Sequence, residues 1–249
     1  MKTGRPGGPR YQRLDRLMVE RGLAESREKA QALVMAGEVR VQGQKAAKPG
    51  QMVEGDCAIE VLARPPYVSR GGLKLAGAVQ HWTIDVTGKV CADIGASTGG
   101  FTDVLLQGGA ARVHAVDVGA GQLDWKLRTD PRVVVHEGIN ARELKPGEIG
   151  EQVDLLVCDV SFISVTLILP AITPLLRDSG QMVILIKPQF EVGKGQVGKG
   201  GIVRDPELHH AACRRVEDAV REFGFVTDII ESPISGAEGN KEFLLYARR

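Results

Sequence analysis

Between residues 89 and 186 short apolar runs alternate with longer amphipathic stretches, and few folds accept that order. Strands are expected at 89–94, 112–116, 133–136, 153–159 and 182–186, with helical sequence between them. Such alternation builds a parallel sheet covered by helices on both faces. The end of the chain departs from it. Residues 225–231 and 243–247 read as two strands joined by a short loop around 233–240, a hairpin that closes the parallel sheet. The expected fold class is therefore α/β: a Rossmann-like sheet with an antiparallel last strand, preceded by a small α+β unit.

That first unit is basic. Residues 1–50 hold eleven Lys or Arg against five acids, an excess of six positive charges, although the 249-residue chain carries a net charge of only +1. A basic front on a mildly acidic body suits a polyanion partner, and a solvated charged face is the alternative. Residues 13–22 read as a short helix with Leu14, Leu17 and Met18 on one side and Arg13, Arg16 and Arg21 largely on the other. Ser26 is a good N-cap for a second helix, with Lys29 at the third helical position. That helix turns Ala30, Leu33 and Val34 inward and ends at Gly37. Short strands at 39–41 and 57–62 follow. Two adjacent prolines in Arg64-Pro65-Pro66-Tyr67 stiffen a linker at 64–67. They separate a domain at 1–63, with a flexible basic arm at 1–10, from a domain at 68–249.

The segment RLDRLMVERGLAESREKAQALVMAGEVRVQGQ resembles the S4 domain, a small RNA-binding module. The resemblance implies RNA as partner and places Arg13, Arg16, Arg27 and Lys29 against its phosphates. Cations on one face release counterions from RNA, so binding falls steeply with salt.

Other classes recede. No apolar run approaches the roughly 18 residues of a membrane span, and the first residues lack the apolar region of a signal peptide. Cys57, Cys91, Cys158 and Cys213 are scattered without a C-x-x-C pair. That argues against a disulfide framework or a metal site and suits the reducing cytoplasm.

The segment from Val90 to Thr102, VCADIGASTGGFT, is a strand running through a glycine-rich turn into a helix. Glycines let a ligand approach the backbone at the carboxyl edge of the first strand. The spacing Gly95-x-x-x-Gly99-Gly100 is not that of a dinucleotide site. Asp93 would sit badly beside a pyrophosphate and suits the cationic amino acid part of S-adenosylmethionine. The second strand ends at Asp117, where a carboxylate can accept both ribose hydroxyls of an adenosine. Asn140, in HEGINARE after the third strand, would lie near the adenine, and an ordinary loop residue is the alternative. The cofactor set is thus Asp93, Gly95, Ser97, Gly99, Gly100, Phe101, Asp117, Asn140 and Asp159. An NAD-dependent reductase is the competing reading, and the position of Asp93 counts against it.

The methyl acceptor follows by chemistry. After the fourth strand stands Cys158-Asp159-Val160-Ser161-Phe162, without the Asn/Asp-Pro-Pro-aromatic tetrapeptide of enzymes that methylate exocyclic amines. Cys158 lies within an apolar strand, where it packs rather than attacks a pyrimidine carbon. Oxygen remains. The chain from Tyr67 to Arg249 resembles the FtsJ-type 2′-O-methyltransferase domain. With the S4 segment, nearly the whole sequence resembles the TlyA/hemolysin A family of ribosomal RNA 2′-O-methyltransferases. Four residues match that family's Lys-Asp-Lys-Glu tetrad: Lys74 in SRGGLKL, Asp159 in CDVSF, Lys187 in LIKPQFE and Glu242 in GNKEF, with Glu238 close to the last. The resemblance assigns the base role to Lys187, with Asp159 and Glu242 orienting the two lysines. To take a proton the amine must be uncharged, a form favoured by burial and by the adjacent cation of Lys74. The acceptors implied are cytidines of the small-subunit RNA, the large-subunit RNA or both, and the short segment after the last strand favours the large subunit.

Residues 193–200, GKGQVGKG, nearly spell a P-loop, but Gly200 stands where a magnesium-binding hydroxyl is needed. The loop's Lys194 and Lys199, with Arg204, instead suit a lid near RNA, a plain solvated loop being the alternative. His209 and His210 are expected on a helix surface, and Trp82 and Trp125 in packing roles. A non-catalytic RNA-binding assembly factor on the same scaffold is the second functional class. The intact tetrad speaks against it. A membrane-active toxin lacks a spanning segment and a strongly amphipathic basic helix.

Overall fold

In the computed structural model of the chain, residues 11–62, 65–236 and 239–249 are described. The expected basic arm at 1–10, Arg64 of the linker and Glu238 lie outside the described residues. The chain divides into two compact units, Met1–Pro65 and Pro66–Arg249.

In the first unit β1 (Tyr11–Arg13) leads into α1 (Leu14–Glu20) and α2 (Arg27–Met35), followed by β2 (Val39–Val41), β3 (Gln44–Lys45), β4 (Met52–Glu54) and β5 (Ile59–Val61). β1 pairs with β4, and β2 lies between β3 and β5, all antiparallel. Arg13 thus ends a strand rather than opening the helix, because residues 11–13 find a ladder partner in β4. Ser26 caps α2 as expected, its hydroxyl accepting from the Lys29 amide at 3.3 Å. Leu14, Leu17, Met18, Ala30, Val34, Val39 and Val53 form the core.

At the edge of that core lies Asp15, fully buried. Its carboxylate takes two bonds from Arg13 (3.0 and 2.8 Å), one from Arg27 (3.2 Å) and one from Gln31 (2.9 Å). The Arg13 guanidinium, foremost among these, holds the carboxyl well below the usual range. Two arginines expected to face phosphates therefore also tie α1 to α2 through one buried anion. Arg16 and Lys29 are exposed.

The second unit runs α3 (Gly71–His81), β6 (Val90–Ile94), α4 (Gly100–Gln107), β7 (Arg112–Asp117), α5 (Trp125–Arg128), β8 (Val133–Glu137), α6 (Pro146–Ile149), β9 (Val153–Cys158), α7 (Leu169–Ile172), β10 (Leu176–Ile186), α8 (Pro188–Glu191), α9 (Pro206–Arg221), β11 (Val226–Glu231) and β12 (Phe243–Arg248). Its seven strands are ordered β11-β12-β10-β9-β6-β7-β8. β12 is antiparallel to both of its neighbours, and the pairs from β10 to β8 are parallel. Along β10, Met182, Ile184 and Ile186 join the core on one face, while Val183 and Leu185 join that on the other. Burial on both faces is why these strands read as continuous apolar runs. β10 starts six residues earlier than its apolar run, because Arg177-Asp178-Ser179-Gly180 are polar and the register with β9 shifts there. Tyr67, expected in the linker, packs against the core of this unit, where a Cβ on Gly72 would come within 2.6 Å of its side chain.

Two expectations fail for one reason, that element-level patterns do not reveal which turn a residue meets. His209 is buried, not on the helix surface, and its Nε2 lies 2.8 Å from the Val203 carbonyl. Trp125 is 75% exposed rather than packed. Trp82 does pack, stacked on Tyr246 at 5.3 Å and donating to Asp228. Among the described residues no helix is long and apolar enough to cross a membrane.

Candidate active site

Strand order reverses between β6 and β9, so the loops leaving these two strands diverge to opposite sides and open a cleft at their carboxyl ends. Ile94 and Cys158 face each other on the last shared rung, with Gly95 and Asp159 immediately beyond. A Cβ on Gly95, whose φ is +85°, would lie 2.5 Å from the Asp159 carbonyl oxygen, so the two exits can touch only without a side chain. Gly99 starts α4 at φ +94°, where a Cβ would meet Leu127 at 2.2 Å.

The cleft has a volume of about 450 Å³. Gly95, Ser97, Asp117, Asn140 and Asp159 line it, together with Val116, Val118, Ile139, Val160, Phe162 and Ile168. Asp117 accepts from the Ser97 amide (2.8 Å) through one oxygen and from the Gly119 amide (2.7 Å) through the other. Each oxygen keeps a lone pair for a ligand hydroxyl. A second cavity of about 270 Å³ shares Gly95, Ser97, Asp159 and Ser161 with the first and adds Ser69, Gly71, Lys74, Gly100, Phe101 and Lys187.

Two ion pairs stand at that second cavity. Lys187 Nζ lies 2.5 Å from Asp159 Oδ1 and donates to Ser161 Oγ at 2.8 Å. Lys74 Nζ lies 2.6 Å from Glu242 Oε2, with only 11% and 3% of the two side chains exposed. Topology explains the meeting. Because β12 is antiparallel, its first residue Phe243 pairs with Ile186, the last residue of β10. Glu242 and Lys187 therefore flank one rung of the sheet, 55 positions apart in sequence. Gly236 makes room for the carboxylate: a Cβ there would lie 2.0 Å from Glu242 Oε1.

The arrangement departs from expectation at Asp93 and Gly99, which line neither cavity. Asp93 is fully buried beneath the glycine loop. One oxygen accepts from Thr102 Oγ1 at 2.6 Å, and Oδ1 has no hydrogen-bond partner among the described residues. Burial raises its carboxyl to about 7 against the lowering bond from Thr102, with the Asp159 charge adding to the rise. The folded chain thus holds this proton more tightly than the unfolded chain, where the group titrates near about 4. The associated stability is fully present below that value and is lost as pH rises to about 7. Asp93→Asn, unable to ionise, should exceed the parent by about 2–4 kcal/mol at pH 8 without cofactor and converge with it near about pH 4. Urea unfolding at both pH values checks this, and an equal difference at both would refute it.

Sequence reasoning passed over Ser161, which holds Lys187, and Phe162, which is 92% exposed with φ +66°. A non-glycine residue there is strained, and nothing in the local sequence marks it. Cys158 is fully buried, which pushes its thiol far up and makes it inert. Lys199 and Arg204 are exposed and line neither cavity, and the Lys194 side chain lies outside what is described. Among the described residues no cluster of His, Cys, Asp or Glu could hold a metal ion.

A Rossmann-like sheet with this strand order, a glycine-rich first loop and an antiparallel last strand defines a class I methyltransferase fold. The FtsJ-like methyltransferase family matches residues 67–249, and the S4 domain matches residues 12–56. The chain belongs to the TlyA/hemolysin A family of FtsJ-like methyltransferases. It is 49% identical over 242 residues to the 16S/23S rRNA (cytidine-2′-O)-methyltransferase TlyA of Mycobacterium tuberculosis, covering 96% of this chain and 90% of that protein. Hemolysin A of Brachyspira hyodysenteriae is 44% identical, covering 94% of this chain and 98% of that protein. A solved structure of a hemolysin-named protein from Streptococcus thermophilus superposes with a TM-score of 0.74 at 43% identity, over 98% of this chain and 90% of that one.

Proposed function

We propose that this protein transfers the methyl group of S-adenosylmethionine to the 2′-hydroxyl of a cytidine in ribosomal RNA, in the cytoplasm. The observation that carries the reading is the convergence of two lysine–carboxylate pairs on a cavity continuous with the cofactor cleft. The relative's activity on 16S and 23S rRNA cytidines supports the choice of base and of RNA.

The residues present fit the cofactor. Apolar walls at Val116, Ile139 and Val160 suit an adenine, Asn140 adds a polar edge, and Asp117 offers free lone pairs to the ribose hydroxyls. When bound, S-adenosylmethionine supplies a methyl group already activated by its sulfonium. What the protein must add is alignment of the ribose oxygen and removal of its proton. Lys187, held between Asp159 and Ser161, first gives up the proton of its ion pair and then, as the uncharged amine, takes the ribose proton at Nζ. Lys74, held by Glu242, places a cation where negative charge develops on the oxygen. Asp159 lines both cavities and so orients the base from the cofactor side. Phe162 at the mouth offers its face for stacking the target base.

RNA is gripped in the first unit by Arg16 and Lys29 and by the half-exposed Arg13 and Arg27, and in the second by Lys194, Lys199 and Arg204. The deciding experiment incubates the purified protein with methyl-labelled S-adenosylmethionine and unmodified ribosomal subunits, then digests the RNA for mass spectrometry. 2′-O-methylcytidine is expected, whereas label on a base, or none on RNA, would overturn the reading.

A further inference from the structure

The basic loop that precedes α9 is pinned to the segment carrying Glu242. Asn240, 5% exposed, accepts from the Val203 amide at 3.1 Å through Oδ1 and donates to the Gly201 carbonyl at 3.1 Å through Nδ2. His209 reaches the Val203 carbonyl from α9 at 2.8 Å, and its ring packs on Phe243 with centroids 5.8 Å apart. Val203 itself is buried. The Asn240 carbonyl accepts from Gly236, the residue whose missing side chain leaves room for Glu242. Between residues 236 and 242, then, one segment docks the loop, turns on Gly236 and presents the acid to Lys74.

Asn240 touches neither cavity, yet its amide makes two complementary backbone bonds, one of them to the amide of the buried Val203, which would otherwise lack this partner. Lys199 and Arg204 stand exposed on either side of the docked residues 201–203. We infer that Asn240 is a positioning residue for methyl transfer: it couples the docked state of the 198–204 loop to the placement of Glu242 on Lys74. The coupling runs from RNA phosphates on Lys199 and Arg204 to the loop backbone, then to the Asn240 amide, and two residues on to Glu242. This inference rests on the reading of the site as an RNA methyltransferase.

The test is a double-mutant cycle with a structural readout beside it. In Asn240→Ala, amide exchange at residues 199–204 should accelerate by about tenfold or more, the loss of one net hydrogen-bond pair. The rate constant for methyl transfer to ribosomal RNA should fall by a similar factor, while S-adenosylmethionine affinity changes less than about twofold. In a Glu242→Gln background, assayed at single turnover, the same substitution should cost almost nothing more, because its route is already cut. Asn240→Asp keeps an acceptor for Val203 but loses the donor to Gly201 until the acid is protonated. Burial at this 5%-exposed position raises a carboxyl above its ordinary value of about 3.9, so the rate relative to the parent should rise as pH falls from 8 to about 5.5. Unchanged loop exchange in Asn240→Ala overturns the docking, and an equal loss in both backgrounds overturns the route through Glu242. Absence of transfer by the parent protein condemns the methyltransferase reading instead, and the exchange measurement stands apart from it.

Discussion

Lys187→Ala should abolish methyl transfer while S-adenosylmethionine still binds. The amine sits between Asp159 Oδ1 and Ser161 Oγ at 2.5 and 2.8 Å, on the wall of the smaller cavity, whereas the larger cleft, proposed for the adenosine, is not lined by Lys187. A positioned general base is worth about 10²–10⁴ in rate, so single-turnover transfer should drop by about a thousandfold. The dissociation constant for the cofactor, by calorimetry, should move less than about threefold, since no ground-state contact to it is lost. Lys187→Arg should not restore activity, because a guanidinium stays charged and cannot accept the proton. Folding should suffer less than from the loss of a fully buried pair: Asp159 Oδ1 is buried against Lys187, but the side chain is 21% exposed and can hydrate through the space the alanine leaves. Substantial turnover by the alanine variant would remove the base from the mechanism.

Breaking the other pair costs stability as well as rate. Lys74 and Glu242 are 11% and 3% exposed and 2.6 Å apart, so neither charge is readily hydrated when left alone. Glu242→Ala strands an ammonium in the wall of the cavity, and the loss of one partner of a buried pair costs about 3–5 kcal/mol. Denaturant unfolding should show a fall of that order, against less than about 1 kcal/mol for an exposed pair such as Lys241–Glu231. The double variant Lys74→Met with Glu242→Leu should regain most of the stability, because a buried pair replaced by apolar groups is often neutral. It should regain none of the activity. If Glu242→Ala were as stable as the parent, the pair would have to be solvated, and its electrostatic role would lapse with it.

Much of the fold was legible because period and punctuation carry it. Strands buried on both faces must be apolar throughout, so β6, β7, β9 and the last five residues of β10 stood out, and the edge strand β8 and the closing hairpin were visible as further apolar runs. The polar start of β10 was not, since only the ladder with β9 makes residues 176–181 a strand. Ser26 announced its helix, whereas Asp15 looked like any acid on an amphipathic helix until Arg13, Arg27 and Gln31 closed on it.

For the site, local sequence determined the glycine loop, the acid ending β7 and the identity of the four residues that form the ion pairs, because each belongs to a short motif. The tertiary structure alone decided that these residues meet. Lys187 and Glu242 come together through the antiparallel register of β12 on β10, a choice of pairing made across a separation of 55 positions. It also decided against the local reading at Asp93, which the strand's pleat turns into the protein rather than into the cleft. Backbone patterns specify elements one at a time, but direction of burial and contact across a sheet depend on which elements become neighbours, and that is set by packing the whole domain at once.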